Sequence, residues 1–249
     1  MPAILTPERR LNEGVVRQGV TTVLAGPDGG AGPADIRRMI DALMAQGTGT
    51  NVATYVGHNA VRRAVMGDEQ RATTAEELDR MRGLVREGMD LGAVGLSTGL
   101  MYEPGMFSTT DEVVELAKTV RPYRGIYDSN LRADSRSEAP GHPRSTGTFP
   151  RVLGHYVREV KLLSLQHAVR KMTSLPADWI GLHDRGRIFE GQAADLVIFD
   201  SATIADRSTW SEPGRLAIGV RDLMVNGVLV LRNGEMTGAA PGRYLRARR

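Results

Sequence analysis

Up to about residue 130, short apolar runs alternate with stretches whose apolar positions recur at helical spacing. The runs at 20–25, 52–56, 93–97 and 126–129 read as strands. Pro33 suits the first turn of a helix that puts Ile36, Met39, Ile40 and Leu43 on one side. Thr73 with Glu76, ahead of Leu78, Met81 and Val85, and Thr109 with Glu112, ahead of Val113, Leu116 and Val120, have capping-box spacing. Strand followed by loop followed by helix, repeated, predicts βα units and a parallel sheet.

The pattern changes twice further on. Residues 133–150 are rich in Ser, Pro, Gly, Arg and Asp without periodicity and read as a loop or linker. Ser164 then opens a helix through Leu165, Ala168, Val169 and Met172, expected to close near Pro176. After Gly186 the period becomes two: 194–199 reads as a strand, and 223–225 pairs with 228–231 across Asn226-Gly227, a two-residue hairpin turn. Two parts are expected, residues 1–185 and residues 186–249. In parallel α/β folds the loops beyond the carboxyl ends of the strands build the site. Asp28, His58, Tyr102 and Asn130 hold those places.

Composition narrows the function classes. With 249 residues, 41% of them hydrophobic, the chain can bury a substantial core. The formal charge is +3, but Lys118, Lys161 and Lys171 are its only lysines and the arginines are scattered among acids. No basic stripe for nucleic acid results, and 243–249 reads as a solvated Arg-rich terminus. There are no cysteines, so disulfides, thiolate zinc sites and cysteine nucleophiles are excluded, and a metal would have to be held by His, Asp or Glu. Residues 1–10 lack an apolar core of signal-peptide length and no run reaches membrane-spanning length, so a soluble, cytoplasmic protein with no membrane partner is expected.

Several segments, in order, carry a resemblance. They are Gly19-Val20-Thr21-Thr22-Val23, Gly57-His58-Asn59-Ala60-Val61-Arg62, and Gly95-Leu96-Ser97-Thr98-Gly99-Leu100 with Tyr102 and Pro104. His142-Pro143-Arg144 with Gly147-Thr148-Phe149-Pro150-Arg151-Val152, then Ala168-Val169-Arg170-Lys171-Met172-Thr173, Ala194-Asp195-Leu196-Val197 and Val225-Asn226-Gly227 continue the set. Together they resemble the D-aminoacylase (N-acyl-D-amino-acid deacylase) branch of the amidohydrolase superfamily. The resemblance implies a (β/α)8 TIM-type barrel with a small C-terminal β-sandwich segment, and a Zn2+-dependent hydrolase that splits the amide of a small-molecule N-acyl-D-amino acid. In such an enzyme a metal-bound water is the nucleophile, an aspartate handles protons and an arginine holds the substrate carboxylate.

Carried onto this chain, the resemblance gives Asp134 the proton-carrying role, by its spacing from Arg144. A second alignment instead places Asp134 among the acids that follow the family's His-x-Arg motif. Arg144 offers a planar fork for a carboxylate. Tyr102 would cover the acyl group or donate to the carboxylate, and His58 would line the pocket, its alternative being a hydrogen-bonded structural histidine. Asp28, in Gly26-Pro27-Asp28-Gly29-Gly30, is either a metal ligand or the carboxylate of a Pro-Asp-Gly turn.

The departures from the family are equally definite. The paired histidines of the first barrel strand are missing, and Asn130 stands where the family has a histidine ligand. A neutral amide oxygen is a poor replacement for imidazole on zinc. Arg132 is followed almost at once by the His142-Pro143-Arg144 segment, as if a block of strands had been lost. The expected architecture is therefore an incomplete barrel, about 185 residues where a closed one takes about 250, with two unpaired sheet edges. The expected activity is weak or absent deacylation. The alternative is a non-catalytic fragment that assembles with a partner chain or, as a homo-oligomer, with itself.

Overall fold

The computed structural model describes residues 6–7, 9–130 and 144–247. A short helix, α1 (Glu13–Val16), leads into β1 (Thr22–Ala25), α2 (Pro33–Gln46), β2 (Asn51–Thr54), β3 (Val56–Gly57), α3 (His58–Met66), α4 (Ala75–Asp90), β4 (Gly95–Gly99), α5 (Thr110–Val120) and β5 (Ile126–Asn130). β1 pairs with β2, β3 with β4 and β4 with β5, all parallel. Only Tyr55 separates β2 from β3, and its N–H reaches Ala25 O (3.1 Å) while Val94 N–H reaches Thr54 O (2.8 Å), so the two sheets continue one another. All four expected strands form.

Period two divides the strand side chains between two cores. On one face Val56 and Leu96 pack against Ile36, Val61, Met81, Val85 and Leu116 of the helices. On the other, Leu24, Ala53, Tyr55 and Ile126 are covered by Ala177, Ile180, Leu182 and the C-terminal Leu245. Helix starts follow local chemistry. Pro33 occupies the first turn of α2 as expected. The capping box of α4 lies one residue beyond the expected pair: Glu77 N–H donates to Thr74 Oγ1 (3.2 Å) and Thr74 N–H to the Glu77 carboxylate (2.8 Å). In α5 Thr109 caps the Glu112 N–H (3.2 Å), but the Glu112 carboxylate turns into the core instead of returning to the cap.

Three expectations are corrected downstream. Residues 144–150 are not linker: α6 (Arg144–Arg151) runs into a π-helical stretch, Val152–Glu159. Its Thr, Gly and Pro are weak helix formers, so contacts decide: Gln18 Nε2 donates to Ser145 O (2.8 Å) and Thr146 Oγ1 to Pro213 O (2.8 Å). Ser164 caps α7 (Leu165–Met172) as expected, through the His167 N–H (3.2 Å). Pro176 does not end that helix, however, but sits in the first turn of the next, α8 (Ser174–Trp179), where a missing N–H costs nothing. Nor is the C-terminal segment a solvated tail. Val52 N–H donates to Arg243 O (2.9 Å) and Leu245 N–H to Val52 O (2.8 Å), so residues 243–245 lie along the edge of β2.

The last sheet is antiparallel, in the order β6 (Leu196–Phe199), β7 (Val220–Val225), β8 (Val228–Arg232), β9 (Glu235–Met236). Asn226 (φ 48°) and Gly227 (φ 84°) make the expected turn, both in the left-handed region that a type I′ hairpin requires. Leu223, Val225, Val230 and Leu231 bury against Val16, Leu153 and Ala168.

Candidate functional site

Where β1, β3 and β4 end, the chain folds into loops that meet around Asn59. This side chain is 4% exposed, and its Nδ2 donates to Gly99 O (2.9 Å) while its Oδ1 accepts the Gly99 N–H (3.2 Å). Ser97 completes the joint, accepting the Gly29 N–H (3.1 Å) and donating to Gly26 O (2.6 Å). The Gly57 N–H reaches Ala31 O (2.7 Å), and the approach is so close that a Cβ at Gly57 would stand 2.3 Å from the Gly29 carbonyl. Amide and hydroxyl groups thus set the spacing of the strand-end loops.

Behind Asn59 lies a fully buried charged group. His58 Nε2 is 2.8 Å from Glu112 Oε1, Arg62 Nη1 is 2.5 Å from Glu112 Oε2, and all three side chains have zero exposure. His58 Nδ1 faces Asn59 Oδ1 at 3.3 Å. Arg62 Nη2 also caps the following loop through Arg71 O (2.5 Å). Burial pushes the Glu112 carboxyl up, but hydrogen bonds from His58 and then Arg62 outweigh it and hold the group below the usual carboxylate range. On the opposite strand face, burial and then the Asp128 carboxylate push the Tyr55 hydroxyl up to about 12.

The candidate residues fare unequally. Asp28 is exposed in the turn after β1, and its carbonyl and the half-buried Tyr102 both press on Gly99. His58 opens α3 beside them, but with both ring nitrogens engaged and no exposure it lines no cavity, and the hydrogen-bonded structural histidine is the arrangement found. Asn130 ends β5 opposite Gly99, which brings its backbone to the same strand ends. Arg144 begins α6, whose Ser145 is tied to Gln18 on the segment entering β1, whereas Asp28 lies beyond the exit of that strand. Asp134 and His142 lie outside the described residues.

Sequence reasoning missed Asn59, Ser97 and Glu112. Arg62 at i+4 from His58 on one helix was the available signal for a shared buried acid. Among the described residues no group of three or more His, Asp or Glu side chains could hold a metal ion, so those donors do not fit zinc. Among them, too, no helix is long and apolar enough to cross a membrane.

Comparison with known proteins bears on these features. The chain is 27% identical to D-aminoacylase of Alcaligenes xylosoxydans xylosoxydans over 349 aligned positions, covering 83% of this chain and 72% of that protein. As the alignment exceeds the 249 residues of this chain, it steps over positions the relative has and this chain lacks. N-acyl-D-glutamate deacylase of the same organism is 48% identical over 110 residues, 44% of this chain and 22% of that protein. A crystal structure of D-aminoacylase superposes with a TM-score of 0.87 at 24% identity, covering 98% of this chain and 86% of that one. The same figures hold for N-acyl-D-glutamate deacylase from Bordetella bronchiseptica, solved with zinc and a phosphonate inhibitor. These structures fix the fold, mixed α/β with a C-terminal antiparallel sheet. Residues 106–231, slightly more than half of the chain, match the model of the amidohydrolase family, and the chain belongs to that family.

Proposed function

We propose that this chain is a deacylase-type amidohydrolase, cleaving an N-acyl-D-amino acid to the D-amino acid and a carboxylate, with weak or absent turnover on its own. The observation that carries the substrate class is its similarity to three proteins named D-aminoacylase, N-acyl-D-glutamate deacylase and N-acyl-D-aspartate deacylase. In this reading residues 1–185 are an incomplete TIM-type barrel and 186–249 its β-sandwich segment. The strand-end loops around Asn59 are the floor of the site. Tyr102 stands over the acyl group and Asp134 carries the proton, while Arg144, whose planar fork suits a carboxylate, begins a helix tied to the entry side of β1 and has no part in this reading. His58 acts at one remove, through Asn59.

What supports the low turnover is the donor set. Among the described residues the one histidine at the strand ends is committed to Glu112, and position 130 carries asparagine, a neutral amide. The test is hydrolysis of N-acetyl-D-glutamate, N-acetyl-D-aspartate and N-acetyl-D-leucine by the purified chain with and without added zinc. Metal-dependent release of acetate, abolished by Asp134→Ala, would overturn the low-turnover reading; cleavage of the L-enantiomers alone would overturn the substrate class.

A second reading rests on the positions that the relatives have and this chain lacks. Among the described residues β1 and β5 each pair on one side only. Such edges recruit other strands, so a chain of this kind works as a piece that assembles with a partner chain or with itself. Light scattering on a size-exclusion column decides it, since a monomer at all concentrations contradicts self-assembly.

A further inference from the structure

We propose that the groove between α2, the β7–β8 turn and the C-terminal segment binds an organic carboxylate with an apolar body, of the size of a medium-chain acyl chain. The groove lies at the entry of β2, where Gly242 N–H meets Thr48 O, and so is separate from the loops at the strand exits. Its volume of ≈ 570 Å³ falls in the range of small-molecule sites. Ile40, Leu43, Met44 and Val228 supply apolar wall, and Met44 and Val228 remain 81% and 44% exposed.

The charge of the lining is one-sided. Arg243 and Arg246 line it and no acid does. Several arginines elsewhere face carboxylates, as Arg37 does Glu87, Arg82 does Glu115 and Arg187 does Asp178. Among the described residues neither Arg243 nor Arg246 forms an ion pair. The backbone of Arg243 and the stem of Arg246 are held in place. The Arg243 N–H donates to Asn51 Oδ1 (3.1 Å) and its carbonyl accepts from Val52. The Arg246 stem lies over Gly92, where a Cβ would come within 2.6 Å of it. Two guanidinium groups without a facing carboxylate beside an apolar wall match a carboxylate head with a hydrocarbon body, and a free fatty acid and an acylated amino acid share that chemistry.

The test is isothermal titration of the full chain with octanoate, with N-octanoylglycine, with acetate and with 1-octanol. Saturable one-site binding of octanoate or N-octanoylglycine is expected, the tighter of the two naming the source, with acetate and 1-octanol at least tenfold weaker. The double variant Arg243→Ala/Arg246→Ala should lose tenfold or more, the scale of one charge-assisted hydrogen bond, with an unchanged melting temperature. Met44→Glu, which puts an anion on the exposed wall, should lose as much without touching the arginines. Failure of both acyl carboxylates to saturate, 1-octanol binding as well as octanoate, or a loss below tenfold in both variants overturns the proposal.

Discussion

Glu112→Ala is the sharpest test of how the strand-end loops are supported. The substitution leaves the Arg62 guanidinium and the His58 Nε2 facing a void in a site with no solvent access. Breaking a buried pair by removing one partner costs about 3–5 kcal/mol. The lower end applies, because Arg62 keeps its bonds to Arg71 O and Glu69 O. A loss of about 3 kcal/mol lowers the melting temperature of a chain of this size by roughly 6–12 °C. Replacing the pair together, Glu112→Leu with Arg62→Met, removes the stranded charge and should cost less than Glu112→Ala alone. The acid dependence has a definite sign. The native carboxyl is held below its ordinary value, so its contribution is complete above the unfolded value of about 4.3 and is lost as pH falls through the native one. Urea midpoints for the wild type and Glu112→Gln should therefore converge as the solution is acidified. A drop below about 2 °C for Glu112→Ala, or a gap to Glu112→Gln that does not narrow as pH falls below about 4, refutes the reasoning.

Three further outcomes follow. Among the described residues Tyr244 Oη is buried without a partner and its hydroxyl is pushed up to about 12, chiefly by burial, so Tyr244→Phe should stabilise by about 1 kcal/mol; a lower urea midpoint would contradict this. Asp195 accepts from Arg185, Asn51 (2.9 Å) and the Asn226 N–H (2.7 Å), joining β2 to the β7–β8 turn, and Asp195→Ala should lose about 3 kcal/mol by urea melt, an unchanged midpoint being the contrary result. Since the described donors form no metal cluster, chelation should leave the melting temperature in place, whereas a bound ion at about 100 times its Kd would add about 2.7 kcal/mol and reveal itself as a fall of several degrees on treatment with EDTA.

The strands and most helices were legible because the signal for them is local. Val52, Val56 and Leu96 are apolar in short runs, and Pro33, Thr109 and Ser164 mark helix starts through their own backbone chemistry. Asn226-Gly227 announces its turn by φ alone. What was not legible depended on partners distant in sequence. Helix α6 has the composition of a loop and is held by Gln18 and Pro213, and the Arg-rich C-terminal segment is ordered at 243–245 only because the edge of β2 accepts it through isolated bridges. Glu112 shows the limit most clearly. Its spacing from Thr109 satisfies a capping box, and only the three-dimensional position of His58 and Arg62 reveals that the carboxylate is needed elsewhere.

That reassignment bears on the candidate site as a whole. A histidine at a strand end reads as chemistry when seen alone, yet here it is one link in a chain from Glu112 through His58 to Asn59 and the Gly99 backbone. Each link hydrogen-bonds the next, and the terminal link is an uncharged amide that fixes two loops at once. The loops at the exits of β1 and β4 therefore hold their geometry by neutral groups, with the charge kept one layer behind them, and a histidine so employed cannot also serve a ligand. Whatever chemistry the chain retains must then come from groups on the exposed side of those loops, where Asp28 and Tyr102 stand, and from the segment beyond Asn130.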